Sequence, residues 1–272
     1  MKVVLFCGGF GMRLREYSEQ IPKPMVPIGY RPILWHLMRY YAHYGHKDFI
    51  LCLGYRADAI KNYFLNYNEA ISNDFVLSEG GKSVNLLSSD IADWKITFCD
   101  TGMTANIAGR LTAVREHLED EEVFLANYAD GLSDLPLDGY IADFLDKDKI
   151  ASFVSVKPTT FFHIADTEDD GTVKQVTNLA DSGIRMNGGF FAFRRQIFDY
   201  IRAGEELVDE PFERLIRERQ LVSSRYEGFW LSMDTFKDKQ RLDDLYFNGQ
   251  APWEVWKQPN QEAEDPIRPI GR

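Results

Sequence analysis

The chain has 272 residues, of which 44% are apolar, enough for a large buried core, and it holds no apolar run near the ~20 residues of a membrane span. Its formal net charge of −11 argues against nucleic acid or an anionic membrane as partner. Its three cysteines, Cys7, Cys52 and Cys99, sit in or beside apolar runs and read as buried reduced thiols rather than a disulfide framework; with no cleavable leader pattern at the N-terminus, a cytoplasmic location is expected.

In chain order, residues 2–7 predict a first strand, whose run Val3-Val4-Leu5-Phe6 suits a sheet buried on both faces. It ends in Gly8-Gly9-Phe10-Gly11-Met12-Arg13, and Pro22-Lys23-Pro24-Met25 follows. Residues 32–44 predict a helix with Leu34, Leu37, Met38 and Tyr41 on one face, 48–53 a strand, and 57–67 a second helix. Residues 75–89 suggest a hairpin that turns near Gly80-Gly81, and 94–100 and 122–127 two more strands. Further strands are expected over 150–156, 173–176 and 188–193, and helices over 210–218 and 236–246. Strands separated by helix-length crossovers imply an α/β fold with a doubly wound, mostly parallel sheet, followed by a mixed C-terminal portion. No linker divides the chain, so residues 1–257 read as a single domain and 258–272 as an irregular tail.

Ligands of such sheets sit at the carboxyl ends of the strands, where the glycine turn and Asp130 both fall. Glycines there let backbone amides approach phosphate oxygens; Arg13 adds a planar fork and Lys23 a compact cation. Two familiar phosphate loops are excluded: Leu14 stands where a dinucleotide fingerprint needs its third glycine, and no Gly-Lys-Ser/Thr of a P-loop occurs. Asp130 and Asp234 each end an apolar segment, and two carboxylates with a triphosphate make an oxygen site suited to Mg²⁺. Asp234 also precedes a predicted helix, where it could serve as an N-cap. No Ser/His/Asp or Cys/His constellation stands out for nucleophilic catalysis.

Residues 5–25 resemble the signature loop of the sugar-phosphate nucleotidylyltransferases, Gly-Gly-x-Gly-x-Arg-Leu with Pro-Lys-Pro behind it. From residue 2 to about 257 the chain resembles one branch of them, the bacterial glucose-1-phosphate cytidylyltransferases, through Pro32-Ile33-Leu34-Trp35-His36, Asp100-Thr101-Gly102, Gly109-Arg110-Leu111, Asn187-Gly188-Gly189-Phe190-Phe191 and Gly228-Phe229-Trp230. The resemblance implies a Rossmann-like nucleotidyltransferase fold, Mg²⁺ as cofactor, a homo-oligomer, and cytidylyl transfer from CTP to α-D-glucose 1-phosphate in the service of polysaccharide biosynthesis. It further implies that Gly8, Gly9, Gly11, Met12, Arg13 and Ala129 surround the nucleotide phosphates, with Thr104 and Arg110 holding the nucleotide. Arg13, Lys23 and Asp130 would be catalytic, Asp130 and Asp234 would bind the metal, and Asn178, Arg185, Asn187 and Gly188 would take the sugar phosphate. One departure stands out: where the family carries Glu-Lys-Pro, this chain has Thr177-Asn178-Leu179, beside an altered Phe162-His163, with Lys174 or Arg185 as replacement cations. A cytidylyltransferase with another phosphorylated or phosphonate acceptor, or a nucleotide-binding subunit without chemistry, are the alternatives.

Overall fold

The computed structural model describes residues 1–9, 21–159 and 162–257. Gly11, Met12, Arg13 and the tail 258–272 lie outside the described residues. The chain opens with β1 (Val3–Phe6), a 3₁₀ turn at Lys23–Met25, the short pair β2 (Pro27–Ile28) and β3 (Arg31–Pro32), and helix α1 (Ile33–His43). There follow β4 (Asp48–Leu53), α2 (Ala57–Leu65), a ribbon of β5 (Phe75–Ser78) and β6 (Ser83–Leu86), β7 (Lys95–Asp100) and α3 (Ile107–Ala113). The middle holds β8 (Val123–Tyr128), β9 (Gly131–Ser133), α4 (Leu137–Lys147), β10 (Ala151–Val156), and a second ribbon of β11 (His163–Thr167) and β12 (Val173–Asn178). The last stretch supplies β13 (Met186–Asn187), β14 (Phe191–Arg194), α5 (Glu210–Arg217), β15 (Leu221–Arg225), β16 (Trp230–Ser232) and α6 (Phe236–Phe247).

The main sheet runs β13-β10-β14-β8-β1-β4-β7, with β15 also paired to β10. Strands β8, β1, β4 and β7 are parallel, whereas β14 is antiparallel to both β8 and β10. Both halves of the chain therefore feed one sheet. Side chains alternate cleanly between its faces. Val3, Leu5, Phe49, Leu51 and Leu125 pack with α1, α2, α4 and α6 on one side; Val4, Phe6, Ile50, Cys52 and Phe124 pack with α3 and α5 on the other. Burial on both faces is why these strands read as continuous apolar runs. Among the described residues no helix is long and apolar enough to cross a membrane.

Most predicted elements lie within two or three residues of their observed limits, and three of the differences bear on the site and the core. The expected strand 188–193 is broken. Four residues separate Asn187 from Ala192, but their partners Ser155 and Ser152 on β10 have only two between them. The surplus forms a bulge through Gly188, Gly189 and Phe190, with left-handed backbone at Gly189 (φ 73°) and Phe190 (φ 49°). Phe190 is held in that costly conformation by its N–H, which donates to Asn127 Oδ1 at 3.0 Å. Helix α4 was not anticipated, although Leu137, Tyr140, Ile141 and Phe144 bury one helical face; Gly139 and the acidic residues between them obscure the pattern. Finally, the N-cap of α6 is Thr235, not Asp234: Thr235 and Asp238 form a reciprocal capping box.

Candidate active site

Three chain segments meet at the carboxyl ends of the central strands. Lys23 is carried on the 3₁₀ turn between Pro22 and Pro24. Asp130 lies in the turn joining β8 to β9, and Asp234 lies two residues past the end of β16. Strands β9 and β16 pair antiparallel, Gly131 opposite Ser232, and Met233 N–H donates to the Asp130 carbonyl at 2.9 Å. That small ladder sets the two carboxylates side by side.

Lys23 Nζ donates to Asp130 Oδ2 at 2.6 Å and to Asp234 Oδ1 at 2.8 Å. Ser232 Oγ hydrogen-bonds the other oxygen of Asp234, Oδ2. Burial alone would pull the Lys23 ammonium toward neutrality, but the Asp130 and Asp234 carboxylates reverse this and hold its pKa above the ordinary lysine value. The direct contact of Lys23 with both acids is not foreseen by motif spacing, because it joins positions far apart in the chain.

A pocket of about 290 Å³ opens beside the carboxylates, walled by Tyr128, Met186, Asn187, Gly188 and Trp230. The bulge after β13 turns Asn187 and Gly188 toward it. Trp230 Nε1 donates to the Gly188 carbonyl at 2.8 Å, and a Cβ on Gly188 would meet Trp230 Nε1, Val154 O and Val156 Cγ1, each at 3.1 Å. Only glycine fits without displacement of that wall. Asn187 and Gly188, expected to take the sugar phosphate, are thus gathered with Asp130 and Asp234. Ser232 and Met186 join the site without a signal in the sequence beyond their neighbours.

The other expected residues divide. Gly8 and Gly9 follow β1 at the same end of the sheet, and Ala129 is buried beside Asp130. Arg110 is almost wholly buried; its Nη1 donates to Leu53 O at 3.1 Å and Thr101 Oγ1 at 2.7 Å, and its guanidinium fills the space a Gly8 side chain would need. It supports the glycine turn from beneath. Thr104 is exposed in the loop between β7 and α3.

Asn178 and Arg185 lie outside the pocket wall. Asn178 Oδ1 accepts from Ala180 N at 2.9 Å as the cap of a 3₁₀ turn, and in the β11–β12 ribbon Asn178 stands opposite His163. Arg185 donates to the carbonyls of Ser155 at 2.7 Å and Tyr226 at 3.2 Å and pairs with Glu227. Lys174 pairs with Glu168 at 3.2 Å on the exposed ribbon. Arg185 is engaged within the fold, whereas the Lys174 pair is at the surface.

A larger cleft of about 820 Å³ shares no wall residue with this pocket. Its Arg31 is spent internally: the guanidinium donates to Ser72 Oγ, Tyr63 OH and Asn68 O and faces Asp90.

Among the described residues no three His, Cys, Asp or Glu side chains form a metal cluster. Asp130 and Asp234 nevertheless direct one carboxylate oxygen each at a single cation, the Lys23 ammonium. This donor set fits Mg²⁺, which takes one or two carboxylates and fills its remaining positions with phosphate oxygens and water.

The family described as nucleotidyl transferase matches residues 2–237. The chain is 37% identical over 258 residues to a probable glucose-1-phosphate cytidylyltransferase of Bacillus subtilis, covering 94% of this chain and 100% of that protein. It is 36% identical to the glucose-1-phosphate cytidylyltransferase of Salmonella typhi over 259 residues, with the same coverage. Among solved structures, a putative glucose-1-phosphate thymidylyltransferase from Bacillus anthracis superposes with a TM-score of 0.65 at 14% identity, covering 90% of this chain and 94% of that one.

Proposed function

The chain belongs to the nucleotidyl transferase family, and from that premise we propose that it transfers a cytidylyl group from CTP to α-D-glucose 1-phosphate, forming CDP-glucose and pyrophosphate. The observation that carries the reading is the convergence of Asp130, Asp234 and Lys23 beside a pocket closed by Asn187 and Gly188. An oxygen of the acceptor phosphate forms a bond to the α-phosphorus of CTP, and the bond from that phosphorus to the pyrophosphate oxygen breaks. A phosphate monoester, with a second pKa near ~6, is already a dianion at neutral pH and needs no general base. Positioning and charge neutralisation then carry catalysis.

Asp130 and Asp234 would hold Mg²⁺, which when bound supplies positive charge to the phosphate oxygens. Lys23 reaches from a proline-fixed turn to stabilise the reacting phosphates. Gly8 and Gly9 bring backbone amides close to them, with Arg110 bracing the turn. Asn187, Gly188 and Trp230 orient the acceptor sugar. Release of pyrophosphate from CTP, Mg²⁺ and glucose 1-phosphate tests the reading; no release with any acceptor would refute it.

A second reading, cytidylyl transfer to a different phosphorylated acceptor, is favoured by one observation. Asn178 stands in place of the family's lysine, Arg185 is tied to two backbone carbonyls and Glu227, and Lys174 pairs with Glu168 at the surface of the ribbon. A panel of sugar phosphates and phosphonates in the same assay separates the two.

We also propose that the enzyme works in the cytoplasm as a homo-oligomer. Free Cys7, Cys52 and Cys99 suit a reducing compartment. On the β5–β6 ribbon, Phe75 and Leu77 lie across from Leu86 and Val84 on one face, and all four are exposed. A two-stranded ribbon is marginal alone, and an apolar face of this kind fits a second copy. Light scattering at assay concentration tests it, with a monomer as the refuting result.

A further inference from the structure

The Lys23 ammonium touches both Asp130 Oδ2 and Asp234 Oδ1, at 2.6 and 2.8 Å. A Mg²⁺ ion wants the same oxygens at about 2.0–2.1 Å. Two cations placed there would lie within contact distance of each other, so the ammonium and the metal compete. The site is also built to hold the ammonium: Lys23 is largely buried, its side chain only 14% exposed, and Ser232 Oγ anchors Asp234 from the far side. Pro22 and Pro24 fix the backbone on either side, so Lys23 leaves the pair by rotating its flexible four-carbon stem rather than by a loop movement.

We propose that Lys23 is a built-in counter-ion of the Asp130–Asp234 pair, which keeps divalent cations out of the nucleotide-free protein and gives up its place when a nucleoside triphosphate offers the ammonium phosphate oxygens instead. The metal therefore enters with the nucleotide and not before it. The proposal rests on the reading of this pair as the metal–nucleotide site and adds an order of binding to it. It gives Lys23 two tasks: it neutralises the acids in the free protein and the phosphates in the complex. Removing the lysine takes away a positive charge in contact with one oxygen of each carboxylate, which favours another cation at that place.

The test uses Mn²⁺ as the probe, followed by electron paramagnetic resonance on the full chain without nucleotide. Wild type should bind Mn²⁺ weakly. The Lys23→Met variant should bind it at least about tenfold more tightly, within the range expected from removing one like charge at contact distance. The gain should vanish in the double variant Lys23→Met, Asp234→Asn. Adding CTP should tighten Mn²⁺ binding to wild type far more than to Lys23→Met. Equal Mn²⁺ affinity in wild type and Lys23→Met, or no nucleotide-free binding in the variant, overturns the proposal. Lys23→Gln, monitored for folding by circular dichroism, serves if the methionine variant does not fold. Failure here is separable from failure of the proposed function: an enzyme that releases pyrophosphate normally while its Mn²⁺ affinity ignores Lys23 loses only the counter-ion role. Absence of pyrophosphate release in wild type would remove the transferase reading whatever the metal does.

Discussion

His36 gives the fold a pH dependence that can be worked out from its surroundings. It lies on α1, fully buried, with its ring edge-on to Trp35, Tyr246 and Trp253. Trp253 Nε1 donates to His36 Nδ1 at 3.3 Å; an indole N–H can only donate, so Nε2 carries the proton and donates to Ile28 O at 3.0 Å. The neutral ring is satisfied on both sides, whereas protonation would set an N–H against an N–H. Burial lowers the pKa most, the Ile28 carbonyl raises it in part, and Lys257 and Arg31 lower it further, leaving it at about 4. An unfolded histidine titrates near ~6.5, and each unit of difference is worth ~1.36 kcal/mol. Between these values the unfolded chain binds a proton that the folded chain refuses, so stability falls as pH falls. The contribution is complete above about pH 6.5, and roughly 3 kcal/mol is lost by about pH 4. Urea unfolding followed by tryptophan fluorescence, from about pH 7 down to about pH 5, should lose ~2 kcal/mol through this residue. His36→Gln should be less stable at neutral pH but flatter across that window by the same amount. His43 and His46, whose pKa values burial also lowers, are present in both proteins and cancel in the difference. Parallel profiles for wild type and variant would refute the reasoning.

Asp130→Asn and Lys23→Ala should each lower turnover by at least ~10²-fold while the urea midpoint moves little; matched losses of activity and stability would count against catalytic roles. Gly188→Ala pushes a methyl group against Val154 O, Val156 and Trp230, so it should cost ~1–3 kcal/mol in stability and raise KM for the acceptor. Arg185→Ala strips donors from two backbone carbonyls and should lower stability by ~1–3 kcal/mol, read from the urea midpoint. Lys174→Ala should leave the acceptor KM within about twofold, because an exposed ion pair contributes little; a large rise would show that the ribbon folds over the substrate.

The central strands were legible because burial on both faces makes them unbroken apolar runs, as in β1, β4 and β8. Asp130 was legible because it follows such a run, and Asp234 because it ends the apolar segment from Phe229 to Met233. What hid was non-local. The pairing of β9 with β16 joins two three-residue segments that carry no strand signal alone, yet it sets the spacing of the acids. The bulge at Gly188–Phe190 depends on Asn127 of a different strand, so residues 188–193 by themselves read as one continuous strand. Arg110 carries a positive charge near a phosphate loop, and only packing reveals that it props Gly8. Asn178 departs from the family in charge, and its capping bond explains why asparagine suits that turn without explaining the loss of the lysine.

The charge cluster unites positions 107 and 211 residues apart, which has a consequence for the chain as it is made. At ~5–20 residues per second, Asp234 is synthesised on the order of ten seconds after Asp130. Through that interval the emerging chain holds Lys23 and only one of the two carboxylates it bonds in the folded protein. The Lys23–Asp130–Asp234 cluster is complete only when the C-terminal segment has docked, and an activity that depends on it reports that synthesis and folding have finished.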